Sequence, residues 1–540
     1  MVQFGNMSPI GLTTNLLISH AERYHANTEV ISVDVNGNKI RSNWHEVGKQ
    51  SRKLASSLEI LGVKSGDVVG TICSNTKDHI EILYAISGCG AIAHTINPRL
   101  FPDEIVYIIN NAKDKILFID TAFLPFLIGH KHLIAGVEHF YIVGPKTNEI
   151  AAKMNGLKFL SDLRSKGNAN YNWPEIDDRY AAALCFTSGT TGKPKGVLYS
   201  HKSIVTHANM ISLPDYFSFS ALDSLMPVTP MFHVNAWGAT YASSMVGCRL
   251  ILPGPNVNAV NLTKLINEEK VTVSIGIPTI WDEILSYLKK TGKRLNYIKR
   301  IYAGGANVPE WMISAYESEH KVKLIQAWGM TELSPLGLIN TPKNNAKKSN
   351  SSTNRLSTGR PVWAVDFKLI GDKSETIPSD GKSIGNIYVK GPTVINNYLN
   401  HTASATEDDG WFKTGDIGNM DSDGFITLTD RSKDLIKSGG EWISSLHLET
   451  IVCQHPKIHD AAVIGVLHSK WGERPIVIAE PKSDKNPSEE EILSYFENKI
   501  VKWQIPDKVV FVDELPLSST GKPLKKDLKG KFFNILTKGG

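Results

Sequence analysis

Apolar positions along most of the chain alternate between short β-branched runs and stretches with helical spacing, the pattern of layered α/β folds. Asp67-Val-Val-Gly-Thr-Ile-Cys73 predicts a strand, His79-Ile-Glu-Ile-Leu-Tyr-Ala-Ile86 a helix, and Ile116-Leu-Phe-Ile-Asp120 a buried strand. Residues 271–277 predict another strand, with Pro278 in the first turn of a helix through 281–288. The same strand-then-proline punctuation recurs at 298–303 and Pro309. Beyond Asp430-Arg-Ser-Lys-Asp434 the organisation changes. Strands at 461–467, 475–479 and 508–512 accompany a helix over 489–500, which Ser488 and Glu491 would open as a capping box. The pattern divides the chain into a large domain, 1–431, and a small α+β domain, 432–540. The polar stretch 344–353 reads as a surface loop, and no internal repeat is evident.

Composition narrows the class. A chain of 540 residues with 41% hydrophobic and 21% charged residues is globular and too long for one small module, which excludes disorder and collagen-like repeats. Its five cysteines form no CxxC pair, so neither a disulfide framework nor a zinc site is expected, and a reducing, cytoplasmic setting fits. The N-terminal residues lack a signal-peptide pattern, and the longest uncharged apolar stretch, 83–96, is shorter than the ~18–20 residues of a spanning helix. A soluble protein without a membrane span is expected. Residues 522–540 carry six lysines against Asp527, which accounts for the whole net charge of +5. This cationic tail could hold an anionic nucleotide or simply be solvated. No basic patch with interleaved aromatics appears elsewhere, which argues against a nucleic-acid partner.

The strongest chemical signal is Thr187-Ser-Gly-Thr-Thr-Gly-Lys-Pro-Lys-Gly196, set between apolar runs. Its glycines, hydroxyls and lysines make a loop that can turn backbone N–H groups and side chains onto phosphate oxygens. It is not a Walker A loop, because Pro194 follows Gly192-Lys193 and Thr187 stands where that motif requires its first glycine.

This string resembles the phosphate-binding signature of the adenylate-forming superfamily, which includes acyl-CoA synthetases, luciferases and nonribosomal-peptide adenylation domains. Further signatures follow in order. Tyr302-Ala-Gly-Gly-Ala306 resembles the turn beside adenine, and Gln326-Ala-Trp-Gly-Met-Thr-Glu332 resembles the adenine and metal element, with Trp328 where tyrosine is usual. Thr414-Gly-Asp-Ile-Gly418 resembles the ribose turn, Asp430-Arg-Ser-Lys-Asp434 the interdomain hinge, and Pro516-Leu-Ser-Ser-Thr-Gly-Lys-Pro523 the catalytic-lysine loop.

The resemblance implies a large domain of layered sheets and helices, a small mobile α+β domain, and the use of ATP, Mg2+ and CoA. It implies that Thr187, Ser188, Gly189, Thr190, Thr191, Gly192 and Lys195 face the phosphates. Gly304, Gly305, Ala306, Gln326, Ala327, Trp328, Gly329, Met330 and Thr331 would surround AMP, and Asp416 and Arg431 its ribose. Thr187 and Glu332 offer hard oxygens suited to Mg2+. The implied reaction has two halves: a carboxylate attacks the α-phosphorus of ATP to give acyl-adenylate and pyrophosphate, then the CoA thiol displaces AMP. A carboxylic acid is already ionised at neutral pH, so the first half needs positioning and charge stabilisation rather than a base. Lys522 is the implied catalytic lysine. Lys433 would be the hinge, with Lys437, Ser438, Gly439, Gly440 and Trp442 along the CoA path.

Pro230-Met-Phe-His-Val-Asn-Ala-Trp-Gly238 resembles the acyl-pocket segment of fatty acyl-CoA synthetases. On a helix, His233 and Trp237 would share one face. His233, Trp237, Gly304 and Pro335 are the expected acyl pocket, with His233 a second catalytic candidate. Within the superfamily, His-Thr-Ile-Asn-Pro-Arg-Leu-Phe-Pro102 and the strings at 231–238 and 430–445 resemble medium-chain fatty acyl-CoA ligases and 3-methylthiopropanoate (methylmercaptopropionate) CoA ligases. The expected acid is therefore a short- or medium-chain fatty acid or that thioether acid, and the family resemblance implies a homodimer. The alternative is an adenylation enzyme that loads an acyl group onto a separate carrier protein.

Overall fold

The computed structural model describes residues 5–146, 158–187, 193–343, 356–371, 373–431, 433–438, 441–483, 485–518 and 522–537. The expected loop at 344–353 lies outside them. Among the described residues, three sheets build the large domain. A seven-stranded sheet runs Lys158–Phe159, His139–Val143, Ile116–Asp120, Val68–Ile72, Ile92–Thr95, Ala181–Phe186, Gly196–Ser200, parallel except for the last pair. A nine-stranded sheet has a parallel centre of Arg300–Ala303, Val273–Gly276, Ser224–Pro227 and Arg249–Leu252.

Helices packed between these sheets explain the most apolar segment of the sequence. The helix Lys77–Gly88 buries every residue from His79 to Gly88, and the buried strand Ile92–Thr95 follows at once. The long uncharged stretch is therefore a core helix and strand, not a membrane span. Ile80, Leu83 and Tyr84 share one core with Val69 and Ala183 of one sheet and Leu250 and Val273 of the other. No helix among the described residues is long and apolar enough to cross a membrane.

The proline punctuation is borne out. Pro278 opens the helix Pro278–Thr291 directly after its strand, and Pro309 caps the helix Glu310–His320. The third sheet is antiparallel, Asp366–Ile370, Gly385–Lys390, Phe412–Met420 and Ile426–Arg431, and leads into the small domain.

The small domain pairs Ile458–His468 with Gly472–Pro481, and Lys508–Phe511 joins the latter in parallel. Two local expectations change here. The helix expected over 489–500 covers Glu489–Ser494 and then gives way to turns, with Asn498 at φ 63° and Phe496 buried in the domain core. Ser488 caps the Glu491 N–H at 3.1 Å, but the Glu491 carboxylate turns to Lys457 at 2.8 Å instead of back to the cap, so only half of the capping box forms.

Candidate active site

The C-terminal ends of the parallel strands open onto one cavity of about 1090 Å³, lined by both domains. Such crevices at strand ends are where α/β sheets place their ligands. The large domain contributes Thr187, Lys195, His233, Trp237, Gly304, Gly305, Ala306, Ala327, Trp328, Gly329, Met330, Thr331, Glu332, Pro335 and Arg431, and the small domain adds Lys433 and Lys522. Residues separated by more than three hundred positions thus meet at one site.

The phosphate-type loop links the antiparallel strands Ala181–Phe186 and Gly196–Ser200. Its base is closed by Thr187 N–H donating to Lys195 O at 2.9 Å and Lys195 N–H donating to Thr187 Oγ1 at 3.3 Å. Ser188, Gly189, Thr190, Thr191 and Gly192 lie outside the described residues. Lys195 Nζ stands 4.8 Å from the centre of the Tyr398 ring, a cation–π contact.

Close backbone packing shapes the neighbouring wall. A Cβ on Gly304 would sit 2.7 Å from Ala327 O and 3.3 Å from the Trp237 ring, and Gly305 adopts φ 85°. Glycine is required at Gly304 by space and favoured at Gly305 by backbone conformation. Gln326 does not reach the cavity; its Oε1 accepts Val308 N–H at 3.2 Å and ties the two turns together from behind.

Asp416 is buried just outside the cavity and both its oxygens are engaged. One accepts the Trp328 indole N–H at 3.1 Å and the other faces Arg431 Nε at 2.5 Å. Each carboxylate oxygen has a second lone pair, so the group can still receive hydroxyl donors. Burial raises the Asp416 pKa, against the opposing pull of Arg431 and Lys522. The bond from Trp328 was not legible in the sequence, although an aromatic with an N–H in place of tyrosine was a cue.

Glu332 is buried in the turn Thr331–Leu333, where burial raises its pKa. Its Oε1 accepts the Tyr398 hydroxyl at 2.8 Å, and no salt bridge neutralises it among the described residues. Tyr398 was missed in the sequence, since a lone tyrosine in a loop carries no spacing signal. Glu332 and Thr187 line the same cavity, so a divalent cation sharing anionic phosphates would meet hard oxygen donors there. Among the described residues no cluster of three or more His, Cys, Asp or Glu could hold a metal ion by itself.

The acyl-pocket segment departs from the helix expected of it. His233 is extended, and Val234, Asn235, Ala236 and Trp237 take φ of 50°, 51°, 54° and 52°, a left-handed turn ended by Gly238. Such backbone costs roughly 1–2 kcal/mol per non-glycine residue and persists only where surroundings hold it. Here Val234, Asn235 and Ala236 are buried, and a Cβ on Gly238 would strike the His207 ring at 2.3 Å. His233 and Trp237 still line the same cavity, by way of this turn and not by a shared helix face. Burial, then the charge of Lys522, lowers the His233 pKa to about 4, so the imidazole is neutral near pH 7.

Lys522 sits just before the helix Lys525–Phe532, in a loop pinned by the Leu517–Pro523 bridge and by Ser518 N–H donating to Lys522 O at 2.7 Å. Burial, then Arg431, lowers its pKa to about 8, with Asp416 opposing. The tail is not the uniform solvated patch allowed by the sequence, because Lys525 and Lys529 turn inward to Glu449 and to Lys433 O. The expected CoA group does not join the cavity here: Lys437 packs over Trp442 at 5.2 Å and Ser438 accepts from Arg474 at 3.2 Å, while Gly439 and Gly440 lie outside the described residues.

Comparison with known proteins gives a consistent result. Residues 18–399 match the model of the AMP-binding enzyme family, and 447–522 match that of the AMP-binding enzyme C-terminal domain. The chain is 45% identical to the 3-methylmercaptopropionyl-CoA ligase of Ruegeria lacuscaerulensis, over 99% of each chain. It is 44% identical to the medium-chain-fatty-acid CoA ligase of Ectopseudomonas oleovorans, over 98% of each. Among solved structures, the anthranilate CoA ligase AuaEII in complex with anthranoyl-AMP shares the fold at a TM-score of 0.86 and 23% identity, over 97% of this chain and 98% of that one. The o-succinylbenzoate CoA synthetase of Bacillus subtilis, in complex with ATP and magnesium ion, does so at 0.79 and 24%, over 95% and 99%. With Thr187, Lys195, the Gly304–Gly305 turn and Lys522 gathered in one two-domain cavity, the chain belongs to the AMP-binding enzyme family and is an AMP-forming acyl-CoA synthetase.

Proposed function

We propose that the protein activates a short- or medium-chain aliphatic acid, or a thioether acid such as 3-methylthiopropanoate, through an acyl-adenylate formed in the cavity as it stands. The observation that carries this reading is Lys522, brought into one cavity with Thr187, His233, Glu332 and Arg431. Its ammonium would lie between two anions, the acid and the α-phosphate, and stabilise the charge that builds as they join. Neutral His233 would donate or accept a hydrogen bond at the carboxylate, Asp416 would receive the ribose hydroxyls, and Arg431 would hold Asp416 in place. Thr187 and Glu332 would hold Mg2+, which supplies charge neutralisation on the phosphates. Chelation should therefore stop adenylation.

Trp237, Ile277, Val234, Phe217 and Leu336 also line the cavity, an apolar set that suits an alkyl or thioether chain. The 3-methylmercaptopropionyl-CoA and medium-chain relatives support the same choice. For the second half we propose that the small domain turns about Lys433, withdraws Lys522, and brings Lys437, Ser438 and Trp442 to the site; Gly439 and Gly440 belong to the same segment. A panel of acids from three to sixteen carbons plus 3-methylthiopropanoate, scored by kcat/KM for AMP release with ATP, Mg2+ and CoA, tests the substrate reading. The expected optimum lies among the short and medium acids or the thioether; a preference for dicarboxylic or amino acids would refute it.

A further inference from the structure

Pushing Lys522 into the cavity has an electrostatic cost. Burial and the neighbouring cations Arg431 and Lys433 all act against its charge before any anionic substrate arrives. Something must hold the small domain in this arrangement, and a chain of polar contacts crosses the hinge at the right place. Asp430 stands near the end of the strand Ile426–Arg431, on the large-domain side of Lys433. Its Oδ2 accepts Ser445 N–H at 2.6 Å, Ser445 Oγ at 2.7 Å and Leu446 N–H at 3.2 Å, at the start of the small-domain helix Ser445–Val452. Ser445 Oγ in turn accepts from Lys525 Nζ at 2.7 Å, and the same ammonium pairs with Glu449 Oε1 at 2.7 Å. Lys525 lies three residues past Lys522. One turn further along the same helix, Lys529 donates to the carbonyl of Lys433 at 3.0 Å.

We propose that Asp430, Ser445 and Lys525 form a catch across the hinge, positioning residues that hold Lys522 in the cavity for adenylation and must release for the CoA step. This rests on the rotation about Lys433 proposed above. Asp430 is the fixed half. Ser445, Lys525 and Glu449 are the moving half, and they would travel together because all three follow the hinge. Ser445 and Asp430 are buried, at 0% and 6% exposure, so each broken contact would be felt. Burial works against the Lys525 ammonium, but Glu449 and Asp430 outweigh it and raise its pKa, whereas burial pushes Glu449 up to about 7. Buried ionic groups of this kind contribute little net stability, and selecting between conformations is their best-supported use.

The test separates the half-reactions. Asp430→Asn keeps the side-chain volume and weakens the charged acceptor. Pyrophosphate exchange into ATP without CoA should fall roughly tenfold, while single-turnover thiolysis of supplied acyl-adenylate by CoA should be unchanged or faster. Ser445→Ala should show the same split to a smaller degree, and it reads the catch if Asp430→Asn fails to fold. Lys525→Arg should retain more exchange than Lys525→Met. Equal losses in both half-reactions would mean a merely structural role, and no loss in either would remove the catch altogether. Lys433→Pro, which restricts the hinge, should cut thiolysis far more than exchange. If it does not, the rotation reading fails; if it does and Asp430→Asn shows no split, the catch alone fails.

Discussion

The two walls of the cavity are built on different principles. On the large-domain side, close backbone packing, with Gly304 against Ala327 O and the left-handed turn at 234–237, stands beside the side-chain bonds from Trp328 and Arg431 to Asp416 on the antiparallel sheet. On the small-domain side, Lys522 stands in a short loop three residues before Lys525, which is tied through Ser445 to Asp430 of the large domain. On the proposed reading, recognition would rest on the large-domain wall, and the charge needed for only one half-reaction on the part that leaves.

The comparison is broken hardest at Lys522. Lys522→Ala should lower adenylation, measured by pyrophosphate exchange, by roughly 10²–10³ while leaving ATP binding nearly intact, as removal of one preorganised charge would. Loss of binding in parallel would place the lysine on the recognition wall instead. The proton on Lys522 gives the next effect. The charge is present below a pKa of about 8 and lost above it, so kcat/KM for ATP should fall about tenfold per pH unit on the alkaline side. Gly304→Ala places a Cβ on a carbonyl of the rigid wall, which cannot yield cheaply; kcat/KM should drop about tenfold with little change in the pH profile. Trp328→Phe removes the donor to Asp416 and should raise KM for ATP by about threefold at unchanged kcat.

The alternation of β-branched runs and helical spacing made the layered fold legible, and glycine-rich strings marked Thr187, Lys195, Gly304 and Gly305, which line one cavity. What escaped was set by tertiary contact. Left-handed backbone at Val234 runs against the residue's own preference and is held by burial around it and by Gly238 N–H donating to Val234 O. Tyr398 and Glu332 are sixty-six positions apart, so no local pattern joins them. The tail lysines looked equivalent along the sequence, yet Lys525 is a half-buried ion-pair partner and Lys529 donates to the Lys433 carbonyl. Charge counting could place the excess but not its partners.

The most direct measurement of the central claim is acid-dependent exchange of labelled pyrophosphate into ATP by the unaltered protein, with Mg2+ and without CoA. The account predicts exchange that needs the carboxylic acid and proceeds in the absence of the thiol, followed by acyl-CoA and AMP once CoA is added. Exchange that required CoA, or turnover that released ADP and phosphate, would contradict it.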